Sequence, residues 1–96
     1  MTRYTVVWDQ DVEVPFINAW IAGDVHTRAI LTYLGNWLDA NLTDDPQRKG
    51  EARSETDARQ IDISIPGTLT HVSAVYQVLA DDRQVRVVRL IFRRTS

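Results

Sequence analysis

The sequence predicts an α+β domain in the order βααβββ, an antiparallel-type sheet with an N-terminal helical hairpin on one face. A β-rich run opens the chain, apolar residues then recur at spacings of three and four as far as Leu42, and period-two alternation takes over from Arg59. Two helices set ahead of most of the strands pack together against one side of a single sheet.

In Tyr4-Thr-Val-Val-Trp8 every residue is β-branched or aromatic, so this run is the first strand. Asp9-Gln-Asp11 offers side-chain oxygens for a helix N-cap, and Pro15 fits within a first helical turn. Val14, Ile17 and Ile21, with Phe16 and Trp20, keep helical spacing up to a stop at Gly23. Asp24 caps a second helix, in which Leu31, Leu34, Leu38 and Leu42 repeat, flanked by Ile30 and Trp37. Trp20 and Trp37 read as core, and Trp8 as core or as a lid over the helix start. Gly35 inside the second helix costs about 1 kcal/mol against alanine, which close packing of the two helices would explain.

From Thr43 to Asp57 the chain turns polar and reads as a mobile loop. Arg59-Gln-Ile-Asp-Ile-Ser-Ile65 alternates cleanly until Pro66-Gly67 stops it. A third strand covers Thr70 to Leu79, a polar Ala80-Asp-Asp-Arg83 turn follows, and a fourth strand covers Gln84 to Arg93. Period two then sorts side chains to faces. Ile61, Ile63 and Ile65 point to the core, as do Val72, Ala74, Tyr76 and Val78, and then Val88, Leu90 and Phe92. Gln60, Asp62 and Ser64, His71, Ser73, Val75 and Gln77, and Val85, Val87, Arg89, Ile91 and Arg93 face outward.

Ninety-six residues make one domain spanning 1–96, because a chain of this size has too little surface to bury for a second core. Cysteine is absent, which removes disulfides, thiolate nucleophiles and sulfur metal sites. The two histidines have no ligand-like spacing, so neither metal nor another cofactor is expected. No apolar run approaches a membrane span and no signal peptide is visible, so a cytoplasmic protein without membrane contact is expected. Charge is uneven. Residues 1–45 carry two basic and seven acidic side chains, and residues 46–96 carry nine basic and six acidic. Ten of the eleven basic residues are arginine, the cation suited to bidentate pairing with carboxylate or phosphate.

Several short pieces in this order resemble the RelE/ParE superfamily of bacterial toxin–antitoxin toxins, in particular its plasmid-stabilisation group. They are Tyr4-Thr-Val-Val-Trp8, a helical hairpin ending in Leu42-Thr-Asp-Asp-Pro46, Gly50-Glu51 and Arg59 at a strand start, followed by Val75-Tyr-Gln-Val78, Asp81-Asp-Arg83 and Val85-Arg-Val87. The resemblance implies a toxin neutralised by a cognate antitoxin and directed at DNA gyrase or at the ribosome and its mRNA. The ribonuclease branch of the superfamily places cations on the open sheet face. Here the two positions that carry lysines hold Gln60 and Asp62, and the position of an arginine is Ser73. With the sequence ending at Ser96, no C-terminal helix bearing a tyrosine is expected.

RNA cleavage through a 2′-hydroxyl needs a proton acceptor and cations for the developing phosphate charge. His71, Arg93 and Arg94 are the catalytic candidates, although arginine stays charged and Asp62 repels phosphate. Arg86, Arg89 and Arg93, with Val85, Val87 and Ile91, form the expected partner-binding strip on the last strand. Internal pairing of these arginines with Asp62 and the acidic helices is the alternative. The leading functional expectation is a ParE-like toxin that binds its target without cutting RNA. The alternatives are a RelE-like mRNA endoribonuclease with a diverged site and a non-toxic interaction module on the same fold. A homodimer is compatible with each.

Overall fold

In the computed structural model, which describes residues 3–53 and 57–94, the elements follow the expected order with one short addition. They are β1 (Thr5–Trp8), α1 (Gln10–Ala22), α2 (Val25–Leu42), β2 (Glu51–Ala52), β3 (Ala58–Ser64), β4 (Thr70–Leu79) and β5 (Gln84–Arg94). The sheet order is β1-β5-β4-β3-β2. All neighbouring strands run antiparallel except β1, which lies parallel to β5 because the helical hairpin and the rest of the sheet intervene between them. The fold is α+β, with the hairpin covering one face.

Local chemistry sets the helix starts. Asp9 caps α1 by accepting from the Asp11 amide, and Asp24 caps α2 by accepting from the Thr27 amide at 2.8 Å. This bond holds the Asp24 carboxyl below its ordinary range. Gly23 ends α1 with extended backbone, and space rather than handedness selects glycine there. A Cβ would sit 2.9 Å from the Ala19 carbonyl oxygen.

The core lies between α2 and the sheet. Leu34, Leu38 and Leu42 meet Ile63, Ile65, Val72, Ala74, Tyr76, Val85 and Val87, and each large buried aliphatic contributes about 1.5–3 kcal/mol. The first helix departs from expectation. α1 carries two apolar stripes, and the chain packs the one through Val12 and Phe16, leaving Val14, Ile17, Trp20 and Ile21 exposed. Periodicity cannot choose between two such stripes, and the anchor is Phe16. Its ring meets Trp8 edge-on at 4.8 Å and lies over Gly35 of α2. Trp37 packs against the core, whereas the reading of Trp20 as core is overturned.

The expected loop from Thr43 to Asp57 is tied down over much of its length, and its residues 54–56 lie outside the described residues. Asp45, at positive φ, leads into one 3-10 turn over Pro46–Arg48. The Tyr76 hydroxyl lies 2.8 Å from the Pro46 carbonyl oxygen and 2.6 Å from that of Lys49, sharing its one hydrogen between them. Arg59 donates to the carbonyls of Lys49 and Gly50. Burial pushes the Tyr76 phenol up, against the opposing pull of the Arg59 guanidinium. Gly50 has φ of +64°, and a Cβ there would overlap the Gln60 carbonyl, so β2 can lie along β3 only with glycine at this corner.

β4 and β5 pair from Thr70↔Arg94 to Leu79↔Gln84 with one break. Val75 stands opposite Arg89 and Tyr76 opposite Val87, so Val88 is an extra residue in β5. Such a bulge resets which side chains point inward. Before it Val85 and Val87 face the helices and are fully buried; after it Leu90 packs against the core. The expected outward placement of Val85 and Val87 is therefore corrected: both belong to the core, not to a partner-binding strip. Val88, expected in the core, is partly exposed in a groove wall against α1.

Candidate functional site

The open sheet face is built from alternate residues of β3, β4 and β5. Register sets Ser64, His71 and Arg93 in one row, Asp62, Ser73 and Ile91 in the next, then Gln60, Val75 and Arg89, and finally Gln77 beside Arg86. Under unbroken alternation Arg86 would point the opposite way from Arg89 and Arg93. The Val88 bulge brings all three arginines to one face. They are exposed, and the central strand beneath them is covered: Ser73 and Val75 are buried.

A hydrogen-bonded row crosses the centre of this face. Arg93 donates to the Ser73 hydroxyl, which donates to Asp62 at 2.6 Å. Gln60 donates to the same carboxylate oxygen at 3.2 Å and accepts from Arg53 at 3.1 Å. Arg93 also lies 3.8 Å from Asp62, the one ion pair among the described residues. Both side chains are more than half exposed, so this pair contributes little stability. The Ser73 hydroxyl, then the Gln60 amide and the Arg93 charge, hold the Asp62 carboxyl below its ordinary value. It is an anion at neutral pH, an acceptor rather than an acid. His71 faces Ser64 with 3.1 Å between the imidazole Nδ1 and the hydroxyl. Arg86 and Arg89 pair with no carboxylate among the described residues.

A second feature lies beside this face. β1 pairs with β5 only as far as Trp8↔Val87, and the Asp9 amide makes the last bond, to the Val87 carbonyl. Beyond it the edge of β5 from 88 to 94 has no neighbouring strand among the described residues. Between that edge and α1 runs a groove of about 290 Å³, lined by Val12, Pro15, Phe16, Val88, Leu90 and Phe92 with Asp11 and Arg89 at its mouth. Apolar walls beside unpaired backbone groups suit an extended peptide.

The expected site residues therefore divide. Arg86, Arg89, Ile91, Arg93 and His71 share the open face, Arg94 stands at the end of β5 beside Thr70, and Val85 and Val87 are core. Among the described residues, pairing of the arginine ladder with the acidic helices is not seen and only Arg93 reaches Asp62. The groove along α1 was not anticipated from the sequence. Its signal was the Val12–Phe16 spacing, masked by the stronger Val14–Ile17–Ile21 stripe. No group of three or more histidine, aspartate or glutamate side chains gathers among the described residues, and no helix is long and apolar enough to cross a membrane.

No protein-family model matches the sequence, and no curated protein matches it. Solved structures do match in fold. A mutant of the E. coli toxin RelE in the free state gives a TM-score of 0.66 at 17% identity, covering 93% of this chain and 82% of that one. A RelBE toxin–antitoxin complex from Mycobacterium tuberculosis gives 0.66 at 18% identity, over 97% and 94%. The chromosomal ParDE system of P. aeruginosa gives 0.63 at 11% identity, over 98% of each chain. At these identities the likeness is one of fold: the chain has the fold of the RelE/ParE toxins.

Proposed function

From the RelE/ParE fold, we propose that this chain is the toxin of a type II toxin–antitoxin module and that it acts in the ParE-like manner, by binding its target rather than by cutting RNA. The observation that carries the second half is the row Gln60–Asp62–Ser73–Arg93. It fills the middle of the open face with a carboxylate whose hydrogen-bond partners are internal. An anion held there repels phosphate, and a guanidinium spent on it has less charge left for a transition state. Arg86 and Arg89, without carboxylate partners, remain for an acidic protein surface.

The partner that neutralises it is a cognate antitoxin, as in the RelBE and ParDE structures that share the fold. The unpaired β5 edge and the groove beneath α1 support a seat for an extended antitoxin segment, with Arg89 and Asp11 among the residues that line the groove. The test is induction of the chain alone in a bacterium, with mRNA ends mapped and gyrase supercoiling and translation assayed in parallel. Growth arrest without new mRNA ends, relieved by the double substitution Arg86→Ala/Arg89→Ala, is the expected result. Unimpaired growth with folded protein in the cell would count against a toxin altogether.

One placement favours a second reading. His71 stands directly opposite Arg93, the one position where an imidazole and a guanidinium meet on the open face. A RelE-like ribonuclease would use that pair. New mRNA ends that vanish with His71→Ala would replace target binding by RNA cleavage.

A further inference from the structure

α1 is apolar on two opposite sides. Val12 and Phe16 pack inward, while Val14, Ile17 and Ile21 stand 46%, 45% and 61% exposed on the outer side, and Val25 at the start of α2 extends the strip at 85%. Not one residue of this 13-residue helix is buried. A helix apolar on two opposite sides has one stripe more than a surface helix needs for the core, and a bare strip of this kind marks an interaction surface.

We infer that the outer face of α1 is an interface between two copies of this chain, packed antiparallel about a twofold axis at Ile17. The layout of charge selects this occupant. Glu13 and Trp20 are seven residues apart, two helical turns, and so lie on the same flank of α1, the flank that faces α2. At the Trp20 end of that flank Arg28 reaches across from α2, donates to the carbonyls of Trp20 and Ile21, and stacks 4.7 Å from the Trp20 ring. Glu13 has no ion pair among the described residues, and neither does Arg28.

A twofold axis lying across the helix at Ile17 keeps each flank on its own side and exchanges positions equidistant from the axis. Glu13 of one copy then meets the Ile21 level of the other, where Arg28 sits, and the same contact recurs at the opposite end. Val14 faces the Ile21 end and Ile17 faces itself. One helix surface supplies the apolar centre and both charged rims, as an isologous contact requires. The two helix dipoles also run in opposition. A helix from another protein would have to bring a cation and a carboxylate at that same spacing; a second copy carries both. The face is separate from the groove beneath α1 and from the arginines of the sheet, so the pairing does not depend on the toxin reading.

The sequence has no cysteine, which makes the test direct. Sedimentation equilibrium of the full chain from micromolar to submillimolar concentration is expected to show a monomer–dimer equilibrium. Ile17→Asp, at an exposed position where the fold tolerates it, raises the dissociation constant about a hundredfold, with far-UV circular dichroism unchanged. Glu13→Lys places like charges at both rims and raises it about tenfold. Under mild oxidation Ile17→Cys gives a disulfide-linked dimer, because its two copies meet at the axis, whereas Ser64→Cys on the opposite face does not. A chain that stays monomeric throughout the range overturns the inference. So does a dimer indifferent to Ile17→Asp, or one cross-linked as readily through Ser64→Cys. A monomer whose Ile17→Cys thiol becomes protected from maleimide only when the antitoxin is bound assigns the face to that protein instead.

Discussion

Val87→Ala and Val88→Ala, two neighbouring substitutions of the same chemistry, separate sharply if the β5 bulge is placed correctly. Val87 has no exposed surface and touches the α2 side of the core, while Val88 is partly exposed in the groove wall. Val87→Ala removes two buried methyl groups, about 1.6 kcal/mol in transfer free energy. The β4 backbone alongside prevents full collapse, so the remaining cavity raises the cost to about 2–3 kcal/mol. For a domain of this size that lowers the melting temperature by about 10–20 °C. Val88→Ala loses partial burial only and costs under about 1 kcal/mol. Urea unfolding followed by fluorescence of the three tryptophans measures both. If Val88→Ala proves the costlier of the two, alternation runs unbroken through β5, and the arginine face falls with the bulge.

Gly35→Ala is expected to stabilise by about 1 kcal/mol, because a Cβ there meets the Phe16 ring at an ordinary 3.8 Å and helix propensity is gained; a loss in urea midpoint would show closer packing of α1 on α2. Tyr76→Phe is expected to cost about 1–3 kcal/mol by leaving the Pro46 and Lys49 carbonyls without their shared donor, and a neutral result would mean that the bonds from Arg59 and between Gln47 and Tyr4 hold the segment after α2 without it. Asp62 titrates below its ordinary 3.8, chiefly through the Ser73 hydroxyl, so its contribution is present above that value and is lost as pH falls through the lowered one. Asp62→Asn should therefore flatten the acid limb of the stability–pH curve, and superimposable curves for the two proteins would refute the assignment.

Much of this fold was legible in local sequence, and the misses share a cause. The capping oxygens of Asp9 and Asp24, the leucine ladder of α2 and the bounds of β4 depend on neighbours within a turn or a strand, and each stands where expected. The bulge left a trace in the Val87-Val88 doublet, two valines in succession between Arg86 and Arg89. Strict period-two counting passed over it. In α1 the local pattern carried two faces at once, and Trp8, Phe16 and Gly35, contributed by three elements, settled which one packs. The bonds holding Pro46 and Lys49 come from Tyr76, some thirty residues away, and no composition window reports them. Of the candidate site, the exposed arginines and a pairing with Asp62 were visible in the sequence, and the Ser73 and Gln60 links that complete the row were not.

The parallel pairing of the first strand with the last has a consequence for synthesis. Thr5 to Trp8 find their strand partners only in Gln84 to Val87, so β1 cannot pair until the residues between them have been made. Contacts of such long sequence separation form late and slowly. The strand they wait for is also the one that bears Arg86, Arg89 and Arg93 and the free edge beside the groove. A nascent chain halted before residue 84 therefore lacks a closed sheet, the three arginines and the β5 wall of the groove.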